Sequence, residues 1–411
     1  MLFSLSSHNV IQYLHDAGLC SSEDGASADS ESPHSRNNSN YLVTLADGDQ
    51  LLVKQERHMN CDDSQKELFK EWLFHELLKS FPVLGNIFAI ASTAQHFDES
   101  NSILVRTYLR EYTELESFYR QNSIFSSSIA TAIGNTLGVL HRATFNRREY
   151  REFMAKEPAG VIRYNYYNPA QGIGLIEPDI ISRVPVDALE FYTLYQQYDF
   201  LESAIADLGN NFHACCLTHN DLKLTNILLH SKSQEQEKCL IKIIDWEACG
   251  WGDPAFELGN VIASYLKLWL ESIVVDASIS PEESLQLAVT PLETLQPSIL
   301  TLVRTYLQTF PRIMEYRQDF ISRIVQFAGL ALLKESEAKI QYSNYSQNMS
   351  ICMLTVAKNL LATPQLSIQT VFGVADSEIT QHEAKVKKLP RTKAKNNLMP
   401  IFYEKTRLRG C

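Results

Sequence analysis

One short polar loop between apolar runs constrains the fold of this 411-residue chain most strongly. The loop reads HNDLKLTN at residues 219–226, and a second polar segment, IIDWE, follows at residues 243–247. The runs ACCL, NILL and LIKII lie beside these segments, and short apolar runs of this kind are typical of buried strands. The sequence therefore predicts that Asp221, Asn226 and Asp245 lie at strand ends, where side chains are held firmly.

The polar groups of the two segments suit phosphoryl transfer from a nucleotide. Asp221 can orient a hydroxyl nucleophile and accept its proton, and Lys223 can neutralise charge on the transferring group. Asn226 and Asp245 offer oxygen atoms, which are the ligands that Mg²⁺ prefers. We expect Asp221 and Lys223 to be catalytic and Asn226 and Asp245 to bind metal. The alternative, in which these residues only form turns and a helix cap, also fits their residue types.

Together with GDPAFELGN at residues 252–260, the motifs HxDxxxxN and IDWE resemble the aminoglycoside phosphotransferase and choline kinase superfamily of protein-kinase-like enzymes. The motifs that carry the resemblance lie within about residues 35–270. The resemblance implies an α+β, bilobal protein-kinase-like fold, with a small β-rich N-lobe and a larger, mainly helical C-lobe. It also implies Mg²⁺ and ATP as cofactors, and in-line transfer of the γ-phosphoryl group to a hydroxyl.

The resemblance implies the two lobes of the domain organisation, whereas the N-terminal helix and the tail lie outside it and follow from residue pattern and charge. Residues 1–34 are expected to form an N-terminal helix and a flexible loop, and residues 35–109 a nucleotide-binding N-lobe. Residues 110–375 should form the C-lobe, with the catalytic loop and a helical acceptor-binding subdomain. Residues 376–411 are expected to be a basic C-terminal tail.

The N-terminal segment has two patterns of its own. Residues 6–18 have the spacing of a short amphipathic helix with a serine cap. Residues 20–40 are rich in Ser, Asn, Asp and Gly and contain few apolar side chains. Because such a composition cannot bury a core, it predicts a mobile loop.

The turn at Asp47 and Gly48 lies between two apolar runs and predicts a β-hairpin. In the superfamily, a loop over the ATP phosphates precedes this hairpin, so residues 35–40 are the expected phosphate loop and Asn40 a nucleotide contact. No GxGxxG motif is present there. Lys54, in the second strand, corresponds to the lysine that grips the α- and β-phosphates.

A helix is predicted over residues 64–80 from its broad apolar face. The resemblance implies that a glutamate on this helix pairs with the phosphate-binding lysine. Glu71 fits best by its distance from the end of the helix, Glu67 is second, and Glu76 is expected to be solvated.

Residues 103–109 are predicted to form the last strand of the N-lobe. The resemblance implies that this strand leads into a hinge whose main chain reads the adenine edge. Thr107, Tyr108 and Leu109 are the expected contacts. Arg106 is interpreted as an ordinary exposed strand residue.

Other segments are predicted to frame the site. Residues 126–144 have the pattern of a strong helix, with His141 in a structural role, and residues 280–372 that of further amphipathic helices. Asp253 is predicted to cap the helix that follows it. By the resemblance, residues 146–212 help to form the acceptor pocket.

The net charge and the residue composition limit the classes of molecule that the protein is expected to bind. The net charge of −11 is uneven, because residues 381–411 hold nine basic and two acidic residues (+7), which leaves 28 − 46 = −18 for the remainder. A negative body argues against general nucleic-acid binding and favours cationic or neutral acceptors. The sequence contains no run long enough to span a membrane, no signal-peptide pattern and no CxxC pair. These features predict a cytoplasmic enzyme with reduced cysteines. The basic tail is expected to be solvated and partly disordered, or to touch an acidic partner or membrane phosphates.

The sequence leaves the acceptor and the oligomeric state open. Lys223 stands where many antibiotic kinases have His, whereas HND and IDWE are similar to choline kinases. The first hypothesis is a kinase acting on an amino sugar, a choline-like alcohol or another small molecule. The second is a peptide Ser/Thr kinase that modifies a ribosomal precursor peptide. The third is a non-catalytic ATP-binding scaffold.

Overall fold

The predicted hairpin forms the centre of an N-terminal antiparallel sheet. Strand β2 (Asn38–Thr44) pairs with β3 (Gln50–Glu56), and the strand order is β1-β2-β3-β5-β4. The other strands are β1 (Ser27–Ser30), β4 (Ala94–Asp98) and β5 (Ile103–Thr107). The structure is a computed structural model that describes residues 3–21, 27–30, 38–57, 67–92, 94–157, 160–164, 168–170, 188–234, 240–274, 279, 281–341 and 347–380.

The prediction of a mobile loop over residues 20–40 was wrong for two of its segments. Ser27–Ser30 form the edge strand β1, which pairs antiparallel with β2, and β2 itself already begins at Asn38. An edge strand can be held by main-chain hydrogen bonds without an apolar side-chain pattern, so composition gave no signal for it. Asn40 therefore lies in a strand, opposite Lys54, and not in a phosphate loop. Residues 22–26 and 31–37 lie outside the described residues.

One helix packs on each face of the N-terminal sheet. Helix α1 (Val10–Asp16) buries Val10 and Leu14 in an apolar cluster that also holds Val43, Val53 and Val105. Helix α2 (Glu67–Ser80) covers the other side and buries Leu68 against Ala94 and Leu104. The short helix α3 (Gly85–Phe88) follows α2. The two helices predicted at residues 6–18 and 64–80 are confirmed over the described residues. Helix α1 is shorter than expected, and its N-cap is Asn9 and not a serine, whereas residues 64–66 lie outside the described residues.

The rest of the described chain is mainly helical, as predicted. Its helices are α4 (Leu115–Asn122), α5 (Ser127–Thr144), α6 (Arg148–Met154), α7 (Leu189–Gln196), α8 (Asp199–Asn210), α9 (Pro254–Leu270), α10 (Pro281–Gln286), α11 (Leu292–Thr309), α12 (Arg312–Tyr316), α13 (Phe320–Gln341), α14 (Gln347–Ala362), α15 (Pro364–Phe372) and α16 (Asp376–Ile379). Its short strands are β6 (Tyr112–Glu114), β7 (Cys216–Thr218), β8 (Ile227–His230), β9 (Ile241–Ile243) and β10 (Gly250–Gly252). The α+β class and the buried strands beside the polar loop are confirmed.

Helices α5 and α11 pack with their main chains close together. A Cβ atom added at Gly138 would lie 2.7 Å from Thr309 Cβ, and one at Gly134 would collide with the carbonyl oxygen of Leu302. Glycine is therefore needed at both positions to let the helices approach. At the end of α5, Thr144 Oγ1 accepts a hydrogen bond of 3.1 Å from the main-chain N–H of Leu217 in β7, which leads into the polar loop.

None of the helices in the described part of the chain combines the length and the apolar character that a membrane-spanning helix requires.

Candidate active site

Two loops that follow buried strands form the centre of the site. Residues 219–226 connect β7 to β8, and Asp245 follows β9. The ring of His219 hydrogen-bonds through Nε2 to the carbonyl oxygen of Ile244 at 2.7 Å. The N–H of Ile244 in turn donates to the carbonyl oxygen of Asn226 at 3.0 Å. These bonds join the two loops immediately beside Asn226 and Asp245, which the sequence predicted to act together.

Each loop contains a residue in the left-handed backbone region. Asn220 has a φ of 64° and Asp245 a φ of 61°. Non-glycine residues adopt this region infrequently, and surrounding contacts must hold them there. Asn220 is held by its side chain, which accepts from Thr218 Oγ1 at 2.7 Å and donates to the carbonyl oxygen of Ala248 at 3.1 Å.

A buried carboxylate fixes the main chain of the first loop. Glu257, in the first turn of α9, accepts from the N–H of His219 at 2.8 Å and from the N–H of Asn220 at 3.1 Å. Burial raises the pKa of Glu257 to about 7, although both N–H donors act to lower it. The N-cap of α9 is Asp253, which accepts from the N–H of Ala255 at 2.9 Å as predicted. Sequence reasoning gave Glu257 no role, although it lies inside the GDPAFELGN segment.

Asp221 presents its carboxylate to solvent at the start of the loop. Its side chain is 52% exposed, and Lys223 Nζ lies 3.0 Å from its Oδ2. The side-chain nitrogen of Asn226 donates to the carbonyl oxygen of Asp221 at 2.8 Å and lies 3.3 Å from Asp221 Oδ2. Since its nitrogen is engaged with Asp221, the oxygen of the Asn226 carboxamide is the atom left to serve as a metal ligand.

Lys54 lies among three carboxylates. Its Nζ is 2.7 Å from Asp245 Oδ1 and 3.5 Å from both Glu71 Oε2 and Glu247 Oε2. Burial acts to lower the pKa of Lys54, but the carboxylates outweigh it and hold the pKa above its ordinary value. For Asp245, burial acts to raise the pKa, and Lys54 and Arg106 outweigh it and hold the pKa below its ordinary value. Both groups are therefore charged at neutral pH.

Of the three glutamates considered on α2, Glu71 is the one beside Lys54. It is completely buried. Glu76 instead lies on the surface, 3.0 Å from Lys79, as expected of a solvated residue. Glu67 begins the helix, and its main-chain N–H contacts Glu56.

The interpretation of Arg106 as an exposed strand residue was wrong. Arg106 is only 6% exposed, and its guanidinium lies 3.1 Å from Asp245 Oδ1 and 3.5 Å from Glu71 Oε1. The strand register explains this position, because Arg106 pairs with Leu52, two residues before Lys54 on β3. Residues two apart on a strand share a face, so both cations extend from the same side of the sheet.

Strand β2 also reaches the site. The side chain of Asn38 donates to Glu247 Oε2 at 3.1 Å, which ties β2 to the loop that carries Asp245. Burial raises the pKa of Glu247 to about 7 against the opposing effect of Lys54. Asn40, the predicted nucleotide contact, has a buried side-chain oxygen with no hydrogen-bond donor among the described residues. Sequence reasoning did not single out Glu247, although IDWE contains it.

The predicted hinge is continuous with β5. The N–H of Tyr108 donates to the carbonyl oxygen of Gln50 at 2.8 Å, and the carbonyl oxygen of Leu109 accepts from Tyr112 at 3.1 Å. Thr107 accepts through Oγ1 from the side chain of Gln95 at 2.9 Å. Two of the main-chain groups expected to read adenine are thus already engaged, and the adenine contacts of Thr107, Tyr108 and Leu109 stay a prediction.

The proposed metal ligands in the protein suit a hard divalent cation that also binds water and substrate phosphates. In the described part of the chain, no group of three or more His, Cys, Asp or Glu side chains is arranged to hold a metal ion. The predicted set is smaller and consists of one carboxamide oxygen, from Asn226, and the carboxylate of Asp245. Mg²⁺ is commonly bound by one or two protein oxygens together with water and substrate phosphates, so these two residues fit it.

Both the sequence and the fold of this chain are similar to those of known proteins. A family model described as "Phosphotransferase enzyme family" matches residues 31–277. The amicoumacin kinase hAmiN, solved with AMP-PNP, Ca²⁺ and "Ami", has 12% identity and a TM-score of 0.50, and the match covers 85% of this chain and 92% of that one. The protein kinase-like fold predicted from the motifs is confirmed.

Two further solved structures are similar at lower TM-scores. A choline/ethanolamine kinase family protein from Mesorhizobium loti has 14% identity and a TM-score of 0.47, over 90% of this chain and 100% of that one. Choline kinase LicA from Streptococcus pneumoniae has 16% identity and a TM-score of 0.47, over 87% and 99%. No curated protein matches the sequence of this chain significantly.

Proposed function

Because the chain belongs to the phosphotransferase enzyme family, we propose that it transfers the γ-phosphoryl group of Mg·ATP to a hydroxyl of a small molecule. The acceptor class we favour is an amino sugar, a choline-like alcohol or a similar metabolite. One observation carries the proposal: Asp221 offers a half-exposed carboxylate beside Lys223, on a loop whose main chain is fixed by the buried Glu257.

In the proposed reaction, Asp221 accepts the proton of the acceptor hydroxyl. The hydroxyl oxygen then forms a bond to the γ-phosphorus, while the bond from that phosphorus to the oxygen of the β-phosphate breaks and ADP leaves. Lys223, 3.0 Å from Asp221, is close enough to offset negative charge on the transferring group. Catalysis of this kind depends mainly on positioning and charge stabilisation.

On the nucleotide side, Lys54 would contact the α- and β-phosphates, with Glu71 orienting it. Asn226 and Asp245 would hold Mg²⁺. When bound, the metal offsets charge on the phosphate oxygens and orients them. Asp245 contacts Lys54 directly at 2.7 Å, which supports a shared role at the phosphates.

Charge and cysteine chemistry support the remaining parts of the proposal. The chain has a net charge of −11, which favours a cationic or neutral acceptor. Among the described residues, Cys215, Cys216 and Cys249 are buried free thiols. Free thiols and the use of ATP favour the cytoplasm as the site of action.

The test is transfer of label from [γ-³²P]ATP in the presence of Mg²⁺. The acceptor panel contains choline and related amino alcohols, aminoglycosides, a macrolide and a serine-rich peptide. We expect label on a small molecule, and none with the Asp221→Asn variant, which keeps the size of the side chain. Label on the peptide and not on a small molecule would favour the second hypothesis, in which the acceptor is a peptide. ATP binding without transfer to any acceptor would instead favour the scaffold hypothesis.

A further inference from the structure

Four charged side chains form a closed ring at the proposed nucleotide site. Lys54 and Arg106 each contact the same two carboxylates, Glu71 and Asp245. The ring distances are 3.5 Å (Lys54–Glu71), 3.5 Å (Glu71–Arg106), 3.1 Å (Arg106–Asp245) and 2.7 Å (Asp245–Lys54). The two cations and two carboxylates of the ring balance one another, and such pairing is the condition under which buried charges are tolerated. Glu247, the third carboxylate beside Lys54 at 3.5 Å, lies outside the ring.

The ring opens to solvent at one corner. The side chains of Lys54, Glu71 and Arg106 are 5%, 0% and 7% exposed, whereas Asp245 is 31% exposed. Both cations contact the same oxygen, Asp245 Oδ1. A ligand that arrives from solvent therefore meets Asp245 first, and anything that occupies this carboxylate competes with both cations.

We propose that Arg106 is a second polyphosphate-binding cation of the nucleotide site, paired with Asp245 Oδ1 until a divalent metal occupies that carboxylate. This inference rests on the proposed function, because it takes the polyphosphate to be that of Mg·ATP. A divalent metal held by Asp245 would place positive charge beside Lys54 and Arg106, which contact the same carboxylate. Phosphate oxygens would then restore neutrality, and Lys54 and Arg106, which both contact Asp245 Oδ1, would be free to bind them.

Donor capacity supports this assignment. The described residues supply three oxygens to the guanidinium: Asp245 Oδ1, Glu71 Oε1 and Ser92 Oγ, the last at 3.4 Å. A guanidinium carries five N–H donors in a planar fork, so it can bind further oxygens without leaving Glu71. Arginine is well suited to phosphate because the fork matches two phosphate oxygens at once.

The register of β3 and β5 places Arg106 beside Lys54. Arg106 pairs directly with Leu52, and Lys54 pairs with Leu104, so the two cations are diagonal neighbours on one face of β3 and β5. Diagonal side chains on a sheet lie within reach of one another when they are long. Arg106 also immediately precedes Thr107, the first residue of the predicted hinge. It therefore lies between the predicted adenine contacts and the phosphate-binding lysine.

The test is nucleotide affinity, measured by isothermal titration calorimetry on the full chain with ATP and with adenosine, in Mg²⁺ and in EDTA. Arg106→Met removes the charge and keeps most of the side-chain length. Arg148→Met, at a side chain that is 87% exposed, is the control for the change in net charge. We expect Arg106→Met to raise the Kd for Mg·ATP at least tenfold and to leave the Kd for adenosine within twofold. Loss of a charge-assisted hydrogen bond has an effect of this order.

Two further variants keep the test decisive if Arg106→Met does not fold. Arg106→Lys keeps the charge without the fork, and we expect it to raise the Kd for Mg·ATP at least threefold. The double variant Arg106→Met/Glu71→Gln removes one charge of each sign and keeps the ring neutral. Its reference is Glu71→Gln, because Glu71 is proposed to orient Lys54, and we expect the double variant to bind Mg·ATP more weakly than Glu71→Gln. An ATP affinity equal to wild type in the folded variants would overturn the proposal and leave Arg106 as a residue that only positions Asp245. If wild type binds no ATP, the proposed function itself fails.

Discussion

Replacing Glu257 by Gln tests how the catalytic loop is held. Glu257 is completely buried and accepts hydrogen bonds from the N–H groups of His219 and Asn220. Glutamine has nearly the same size, but its NH₂ group cannot accept from an N–H. We expect one buried N–H to lose its partner, at a cost of about 1–3 kcal/mol in unfolding free energy at low pH. The loop that carries Asp221 would loosen, and phosphate transfer would fall about tenfold or more.

The effect of Glu257→Gln on the unfolding free energy should also depend on pH, in a direction set by the pKa of Glu257. Burial raises the pKa of Glu257 to about 7 from an ordinary 4.5, so the folded protein holds a proton that the unfolded chain releases. The resulting stabilisation is present below pH 4.5 and is lost as the pH rises through 7. Between pH 5 and 8 the loss is about 2–3 kcal/mol for this group. Glutamine does not titrate, so the stability of wild type relative to Glu257→Gln should fall by that amount.

The groups around Glu257 do not reverse the direction of this pH dependence. The Nε2 atom of His141 lies 3.9 Å from Glu257 Oε1, and burial lowers the pKa of His141 to about 3, which keeps it neutral across the range. The negative charge of Asp221 acts to raise the pKa of Glu257 further. The assay is urea unfolding at pH 5, 6, 7 and 8 for wild type, Glu257→Gln and the exposed control Glu315→Gln. Parallel stability curves for wild type and Glu257→Gln would refute the reasoning.

Two other substitutions test the site. Asp245→Asn removes the charge that would bind Mg²⁺ and leaves Lys54 and Arg106 short of one partner, so the Mg²⁺ concentration for half-maximal transfer should rise at least tenfold; an unchanged metal titration would contradict the metal role. Gly252→Ala would bring a Cβ into Thr218 Oγ1 and within 2.7 Å of Asn220 Oδ1, where those two side chains hydrogen-bond. It should cost about 1–3 kcal/mol in unfolding free energy and reduce transfer, whereas equal thermal unfolding of Gly252→Ala and wild type would argue against that contact.

The sequence by itself determined the parts of the site that depend on neighbours in the chain. The spacing within residues 219–226 places Asp221, Lys223 and Asn226 on one loop, and apolar runs on either side define the strands that hold it. Asp253 was found as a helix cap because a cap acts on the residues that directly follow it. The hairpin was found because its turn signal lies between its strands.

Only the tertiary structure decided which distant side chains complete the site. Lys54 and Asp245 are 191 positions apart, and Arg106 and Asp245 are 139 apart. Arg106 became buried because strand register put it on the same face as Lys54, and a shift of one residue would have turned it to the other face. Glu71 was already favoured over Glu67 and Glu76 from the sequence, and the rotation of α2 against the sheet is the reason that it lies beside Lys54.

The role of the buried Glu257 carboxylate also could not be predicted from the sequence. The sequence identifies it as an acidic residue in the first turn of a helix, where a carboxylate is favourable in any protein. Its partners are main-chain N–H groups 37 and 38 residues away, and main-chain groups carry no signal in the side-chain pattern. Local sequence therefore specified the loop and its chemistry, whereas the packing of helix and strands specified the charges around it.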